Sequence, residues 1–329
     1  MNFLKPKFWN SKTNIITIFL LPISLLFGFL ITVRKYFIKK QKFKIPIICV
    51  GNIYLGGTGK TPLSILIAQA LKSVERKPVI IKKYYKNHRD EIEMIKNVTN
   101  DLIIKRSRVK AVLEAQEKKF NLIILDDGFQ DYTIKSDLNI ICFNSRQLIG
   151  NGFILPAGPL RENLSAVRKA KIVVINGDKN KNFENEILKI SKEIKIFYSR
   201  YKPEINAGFE NKKFFAFAGI GNPDNFFKML HENNLNIKKK FSFPDHYKFN
   251  IKEIQKIKED AIKNDCELIT TEKDFFRIKD FNIDKINYSY QEQDDYFSTY
   301  PLHEDDIKNL SCSTQVFEEL RQLDQYLLA

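Results

Sequence analysis

The stretch from Lys44 to Lys72 leaves the chain few folds to choose from. KIPIICVGN, residues 44–52, is an apolar run rich in Ile and Val, the pattern of a strand buried on both faces in a parallel sheet. It passes through YLGGTGKT into a segment where Leu63, Ile67, Ala70 and Leu71 recur at helical spacing. Strand, Gly-rich loop and a helix opening on Lys-Thr form the context that a phosphate-binding P-loop requires. Gly56, Gly57 and Gly59, with Thr58 among them, let backbone N–H groups come close to phosphate oxygens. Lys60 is then the residue that reaches the β- and γ-phosphates, and the Thr61 hydroxyl is the Mg²⁺-side group. One position departs from GxxxxGK[ST]: residue 54 is Tyr instead of Gly.

A P-loop needs an acid on a neighbouring strand. FNLIILDDGFQD supplies it: Asn121–Leu125 reads as a strand, and Asp126 and Asp127 fall at its carboxyl end, which faces the ligand crevice in an open α/β sheet. Asp127 is the expected metal-side acid, with Asp126 divided evenly between a structural and a supporting role. LNIICF and KIVVIN read as further strands, and the Gly/Pro-rich GNGFILPAGPLRE between them carries Arg161 and Glu162. Beyond about Ile194 the pattern restarts with KIFYSRY, KFFAFAGIGNPDNFFKML, FSFPDHYKFN and CELITTEKDFFRI, a second strand–helix set. The expectation is an α/β protein: a P-loop NTPase-like parallel sheet, a second, smaller α/β lobe and an N-terminal membrane helix. The boundaries read as 1–40 for the anchor and its basic collar, 41–193 for the P-loop domain, 194–290 for the second lobe and 291–329 for an acidic tail.

The anchor rests on the 21 uncharged residues between Lys12 and Arg34, long enough as a helix to match about one hydrocarbon core of roughly 30 Å. Pro22 and Gly28 leave open a helix that spans and one embedded in a single leaflet. Basic residues on both flanks put the bulk of the protein in the cytoplasm and offer contacts to anionic headgroups. With 54 Lys+Arg against 39 Asp+Glu the net charge is +15. This suits a membrane face, while no nucleic-acid-binding signature appears. Four cysteines without a CxxC exclude a disulfide scaffold, and Cys49, Cys142 and Cys266 in apolar runs read as reduced core residues.

VGNIYLGGTGKTP, LDDGFQ, GNGFILPAGPLRE, FAGIGNPDNFF, FPDHYKF and LITTEKD, in that order and spacing, resemble the tetraacyldisaccharide 4′-kinase family of Gram-negative bacteria, from the N-terminal helix to about Arg277. The resemblance implies a phosphotransferase at the cytoplasmic face of the bacterial inner membrane. Its partners would be ATP with Mg²⁺, the lipid A disaccharide 1-phosphate acceptor and an anionic lipid surface; neither a nucleic acid nor a protein partner is expected. Carried over by motif, Gly56–Thr61 hold the ATP phosphates, with Tyr85 also on the nucleotide side. Thr61, Asp127, Gln130 and Glu162 stand on the Mg²⁺ side, and Asp90 and His246 form the acid–imidazole pair at the acceptor hydroxyl, with Lys60 stabilising charge.

Departures accompany the match. The family's SRGY reads KKYY at residues 82–85, its GDEP-like run reads HRDE, and Asp131 stands where His is usual. Residues 291–329 carry a net charge of −7, unlike the rest of the chain. Asp90 also suits the N-cap of a helix EIEMIKN, and His88 is a second candidate imidazole. The rival from another class is a membrane-associated regulatory P-loop ATPase. Leu55 disfavours it, because those proteins carry Lys directly before GGxGK.

Overall fold

The computed structural model describes residues 6–11, 13–85, 89–199, 201–203, 209, 211–245, 247–281, 286–289 and 291–293. In chain order the elements are α1 (Ile15–Phe37), β1 (Ile47–Gly51), α2 (Lys60–Ser73), β2 (Pro78–Lys83), α3 (Arg89–Val98), β3 (Leu102–Lys105), α4 (Arg108–Glu117) and β4 (Leu122–Asp126). There follow β5 (Leu138–Asn144), β6 (Ile172–Asn176), α5 (Lys181–Ile190), β7 (Lys195–Ser199), β8 (Tyr201–Pro203), β9 (Lys213–Ala218), α6 (Pro223–Glu232) and β10 (Asn236–Ser242). The last are α7 (Ile251–Lys263), β11 (Glu267–Thr271), α8 (Glu272–Ile278), β12 (Ile286–Ser289) and β13 (Gln291–Gln293).

Two compact units result. Residues 5–84 and 101–200 hold a seven-stranded sheet in the order β3-β2-β4-β1-β5-β6-β7, with every pairing parallel. Its central strands are continuous apolar runs, as a sheet covered on both faces demands, and Ile47, Val50, Ile123, Ile124 and Val173 are fully buried. β4 is inserted between β1 and β2, so Asp126 stands in register with Val50 on one side and Lys82 on the other. That insertion puts the acid beside the P-loop, although about 65 residues separate them in sequence.

The second unit gathers residues 85–100 and 201–294. Its four-stranded parallel sheet runs β10-β9-β11-β12, and a short antiparallel pair joins β8 to β13. Phenylalanines dominate its interior: Phe214, Phe226 and Phe227 pack on one side of the sheet, Phe217 and Phe249 on the other.

Two expected boundaries change. KIFYS does not open the second lobe but closes the first sheet as β7, because its parallel register with β6 runs from Lys195 to Ser199. α3 lies within the expected 41–193 domain yet belongs to the second unit, where its acidic residues meet bases of the α8 segment. Only three residues of the expected 291–329 tail, those of β13, are described.

α1 has 23 residues and is long and apolar enough to cross a membrane. Asn14 caps it by accepting a hydrogen bond from Ile16 N, and Pro22 sits within it without ending it. One side is buried at Thr17 and Ser24, while Phe19, Leu25 and Phe29 are well exposed. Cys49, Cys142 and Cys266 are buried free thiols, at core positions as the sequence suggests, and burial pushes the first two up to about 12. Cys312 lies outside the described residues.

Candidate active site

The P-loop leaves β1 at Gly51, where even a methyl group would stand 2.5 Å from Phe129 Cβ, so the strand end and the DDGFQ turn approach as closely as backbone allows. Gly59 takes a left-handed conformation (φ 86°) directly before α2, a shape that turns the loop into the helix and that side chains disfavour. Tyr54, the departure from the P-loop pattern, is 2% exposed and bridges to Leu160. Two backbone bonds reinforce the contact: Leu55 N donates to Pro159 O (2.8 Å) and Arg161 N to Ile53 O (2.7 Å). The loop is thus pinned to the segment carrying Arg161 and Glu162 by a core tyrosine, where a glycine would have left a gap.

Two adjacent aspartates divide the work below the loop. Asp126 is wholly buried; its Oδ2 accepts from Thr61 Oγ1 (3.0 Å) and its Oδ1 from Ser64 Oγ (3.2 Å), and Lys82 Nζ forms an ion pair with it. Asp127 sits in a left-handed conformation (φ 52°) and turns outward, with Arg161 Nη1 3.0 Å away and Lys60 Nζ 3.8 Å away. Arg108, from the first turn of α4, clamps the turn: its Nη2 donates to the carbonyls of Asp126 (3.0 Å) and Asp127 (2.8 Å), and its Nη1 to Asp131 Oδ2 (3.2 Å). Burial works against the charge of Asp131, but hydrogen bonds from Thr133 and the Arg108 guanidinium outweigh it and hold its carboxyl below the ordinary range.

Gln130 and Glu162 adjoin this group. Gln130 Nε2 donates to Asn52 O (2.7 Å), and its Oε1 accepts from Arg161 (3.1 Å). Glu162, 2% exposed, is enclosed by Lys35 Nζ (2.5 Å), Lys169 Nζ (3.2 Å) and Tyr132 Oη (2.7 Å). Burial pushes its pKa up, but Lys35, Tyr132 and Lys169 outweigh that and hold it below the usual carboxylate range. Both lysines also lie over the Tyr132 ring.

The oxygen-rich set of Thr61, Asp126 and Asp127 suits a hard divalent cation such as Mg²⁺, which takes carboxylate and hydroxyl oxygens while keeping waters. Glu162 adjoins that set through Gln130, its own oxygens held by Lys35, Lys169 and Tyr132.

The residue profile of the tetraacyldisaccharide-1-P 4′-kinase (LpxK) family matches residues 16–299. The chain belongs to this family. A tetraacyldisaccharide 4′-kinase of Pelagibacter ubique is 39% identical over 292 residues, covering 88% of this chain and 92% of the relative. One of Rickettsia bellii is 33% identical over 293 residues, covering 84% and 90%. Among solved structures, LpxK from Aquifex aeolicus in complex with ATP superposes with a TM-score of 0.65 at 25% identity, covering 92% of this chain and all of that one. Family membership and the parallel P-loop sheet agree with the fold class read from the sequence, and the regulatory ATPase is not favoured.

In the kinase family's terms, Gly56–Thr61, Asp127, Gln130 and Glu162 come together in the first unit. Tyr85, 45% exposed, belongs to the second. Asp90 does too, and its surroundings were not foreseen. It lies in the first turn of α3 rather than at the cap, is 3% exposed, and receives Arg277 Nε (3.0 Å) and Nη2 (2.5 Å) on Oδ2, with Lys273 Nζ at 3.7 Å. Arg277 also donates to Gly219 O and Asp274 Oδ1, both at 2.6 Å, so the FAGIG and TTEKD motifs meet on one guanidinium. Burial alone would lower the Lys273 pKa, but the carboxylates of Asp245, Glu91 and Asp90 outweigh it. His246 and His88 lie outside the described residues. Sequence reasoning missed Lys82, Arg108 and Lys35. Only Lys82 had a signal, as the first residue of the unusual KKYY.

Proposed function

We propose that the chain transfers the γ-phosphoryl group of ATP to the 4′-hydroxyl of a tetraacyldisaccharide 1-phosphate, forming lipid IVA. The bond from phosphorus to the 4′-oxygen forms, the bond to the β–γ bridging oxygen breaks, ADP leaves, and the hydroxyl proton passes to a base. The observation that carries the reading is the Thr61–Asp126 hydrogen bond at the carboxyl ends of β1 and β4, with Lys60 and Arg161 converging on Asp127. It supports a site built to take phosphate at the P-loop amides.

In this reading Gly56–Lys60 hold the phosphates, and Lys60 and Arg161 face the charge that develops on the transferred group. Thr61, Asp126 and Asp127 would hold Mg²⁺, which when bound neutralises phosphate charge and orients the β- and γ-oxygens. Gln130 and Glu162 support that set from behind. Asp90 accepts the proton of the acceptor hydroxyl, with Arg277 fixing the direction of its carboxylate and His246 as its imidazole partner. Tyr85 contacts the nucleotide. The exposed side of α1 lies in the cytoplasmic leaflet of the inner membrane among anionic headgroups, where a lipid acceptor resides.

The test is to incubate the purified protein with ATP, Mg²⁺ and tetraacyldisaccharide 1-phosphate and to look for a second phosphate on the lipid. Formation of the 1,4′-bisphosphate, lost in Lys60→Ala, is the expected result. ATP hydrolysis without lipid phosphorylation would refute the reading.

A further inference from the structure

The apolar helix α1 is seated on the catalytic unit along one side. Ser24 Oγ donates to Ile154 O (2.9 Å) and accepts from Ala157 N (2.9 Å). Gly28 leaves room for the Ile154 side chain, whose Cδ1 would stand 3.3 Å from a Cβ at that position. Just before the helix, Trp9 Nε1 donates to Pro156 O (3.1 Å), and Trp9 O accepts from Asn151 N (2.7 Å). In its last turn Lys35 reaches Glu162. Residues 17, 24, 28 and 35 are separated by seven, four and seven positions and share one helical face. All of these contacts fall on the GNGFILPAGPLRE segment, which ends in Arg161 and Glu162.

We propose that α1 is a working part of the catalytic site, with Lys35 and Ser24 as positioning residues for phosphoryl transfer. This rests on the reading of Glu162 as a support of the nucleotide side. The ammonium of Lys35 fixes the carboxylate of Glu162. Glu162 faces Gln130 Nε2 (3.5 Å), and Gln130 holds Asn52 O at the root of the P-loop and shares Arg161 with Asp127. Ser24 fixes the backbone that carries the pair. A buried carboxylate deprived of one cation is left undercompensated and shifts toward its remaining partners. Here those are Lys169 and Tyr132, so the loss is partial. A helix that served only to hold the enzyme at the bilayer would act on lipid encounter and leave nucleotide handling alone.

The experiment uses the full chain with the acceptor in detergent mixed micelles, so that lipid encounter is read in acceptor KM and the chemical step in kcat at saturating acceptor. Lys35→Gln, Lys35→Arg, Ser24→Ala and Glu162→Gln are compared with Lys39→Gln, an exposed charge of the same collar. The readouts are kcat, acceptor KM, binding of a fluorescent ATP analogue, sedimentation with phosphatidylglycerol vesicles, and melting temperature. Lys35→Gln is expected to lower kcat about tenfold and to weaken analogue binding severalfold, with acceptor KM and vesicle binding near wild type. Lys35→Arg restores most of both, Ser24→Ala loses about threefold in kcat, and Lys39→Gln leaves kcat and analogue binding at wild type. Lys35→Gln with wild-type kcat and analogue binding, or with defects confined to vesicle binding or acceptor KM, overturns the proposal. If Glu162→Gln is itself unimpaired, the reading of Glu162 fails and the coupling with it. If Glu162→Gln is impaired and Lys35→Gln is not, the coupling alone fails. Should Lys35→Gln melt early, Ser24→Ala decides on the same readouts.

Discussion

The two units solve the same problem, fixing a buried carboxylate, by different means. In the first, Asp126 is held by groups that the strand order delivers: Thr61 and Ser64 from the helix after β1, and Lys82 from the strand on its other side. In the second, Asp90 is held by Arg277, 187 residues away in sequence, reaching from one helix to another. The first arrangement follows from a local motif and a topology that many sequences share. The second exists only because two segments with no common pattern carry opposite charges at matching places.

The comparison is most readily broken at Lys82. Lys82→Met leaves Asp126 buried beside hydroxyls alone, and breaking a buried pair in this way costs about 3–5 kcal/mol, to be seen as a lower urea midpoint. An unchanged midpoint would mean that Thr61 and Ser64 suffice. Lys60→Ala probes chemistry at the same unit without that penalty, since its ammonium stands 3.8 Å from a partly exposed Asp127. Single-turnover phosphorylation should fall by a factor on the order of 10²–10³ with the urea midpoint little changed.

In the second unit, Asp90→Asn and Arg277→Gln should each lower kcat about tenfold with ATP KM little altered, and the double variant should be no worse than the poorer single, because the two act as one. Additive losses would show that Arg277 has a separate task.

The smallest effect concerns Glu272, 4% exposed at the start of α8, which burial pushes up to about 7 from its ordinary value near 4.5. The folded state then binds a proton more tightly than the unfolded chain. Stability is therefore full below about pH 4.5 as far as this group is concerned, and is lost as the pH rises toward 7. Glu272→Gln should raise the melting temperature by roughly 2–4 °C at pH 8 and hardly at all at pH 4.5. Equal shifts at both pH values would mean that the carboxyl does not titrate in this range.

Much of the first unit was legible because its signals are short. GGTGKT announces a strand and a helix on either side, and DD after an apolar run announces the neighbouring strand. Which aspartate bonds Thr61 was not legible, since strand geometry decides which of two adjacent side chains turns inward. The placement of α3 was not legible either. Its apolar positions Ile92 and Ile95 predict a buried face but not which lobe covers it, and nothing in the sequence pairs its acids with Lys273 or Lys279. Glu162 was found by its motif, yet nothing in that motif points to Lys35, because the helix reads as a membrane segment whose flanking charges belong to headgroups.

The seating of α1 also sets a timetable for synthesis. Ser24 and Lys35 leave the ribosome before their partners Ile154 and Glu162, which follow 130 and 127 residues later. At a translation rate of about 5–20 residues per second, the helix waits roughly 6–26 s for the surface that will cover one side of it. During that interval none of its faces is covered, and an apolar nascent helix in that condition partitions to lipid first and folds afterwards. Nascent chains arrested at about residue 100 should accordingly sediment with membranes before any nucleotide site exists.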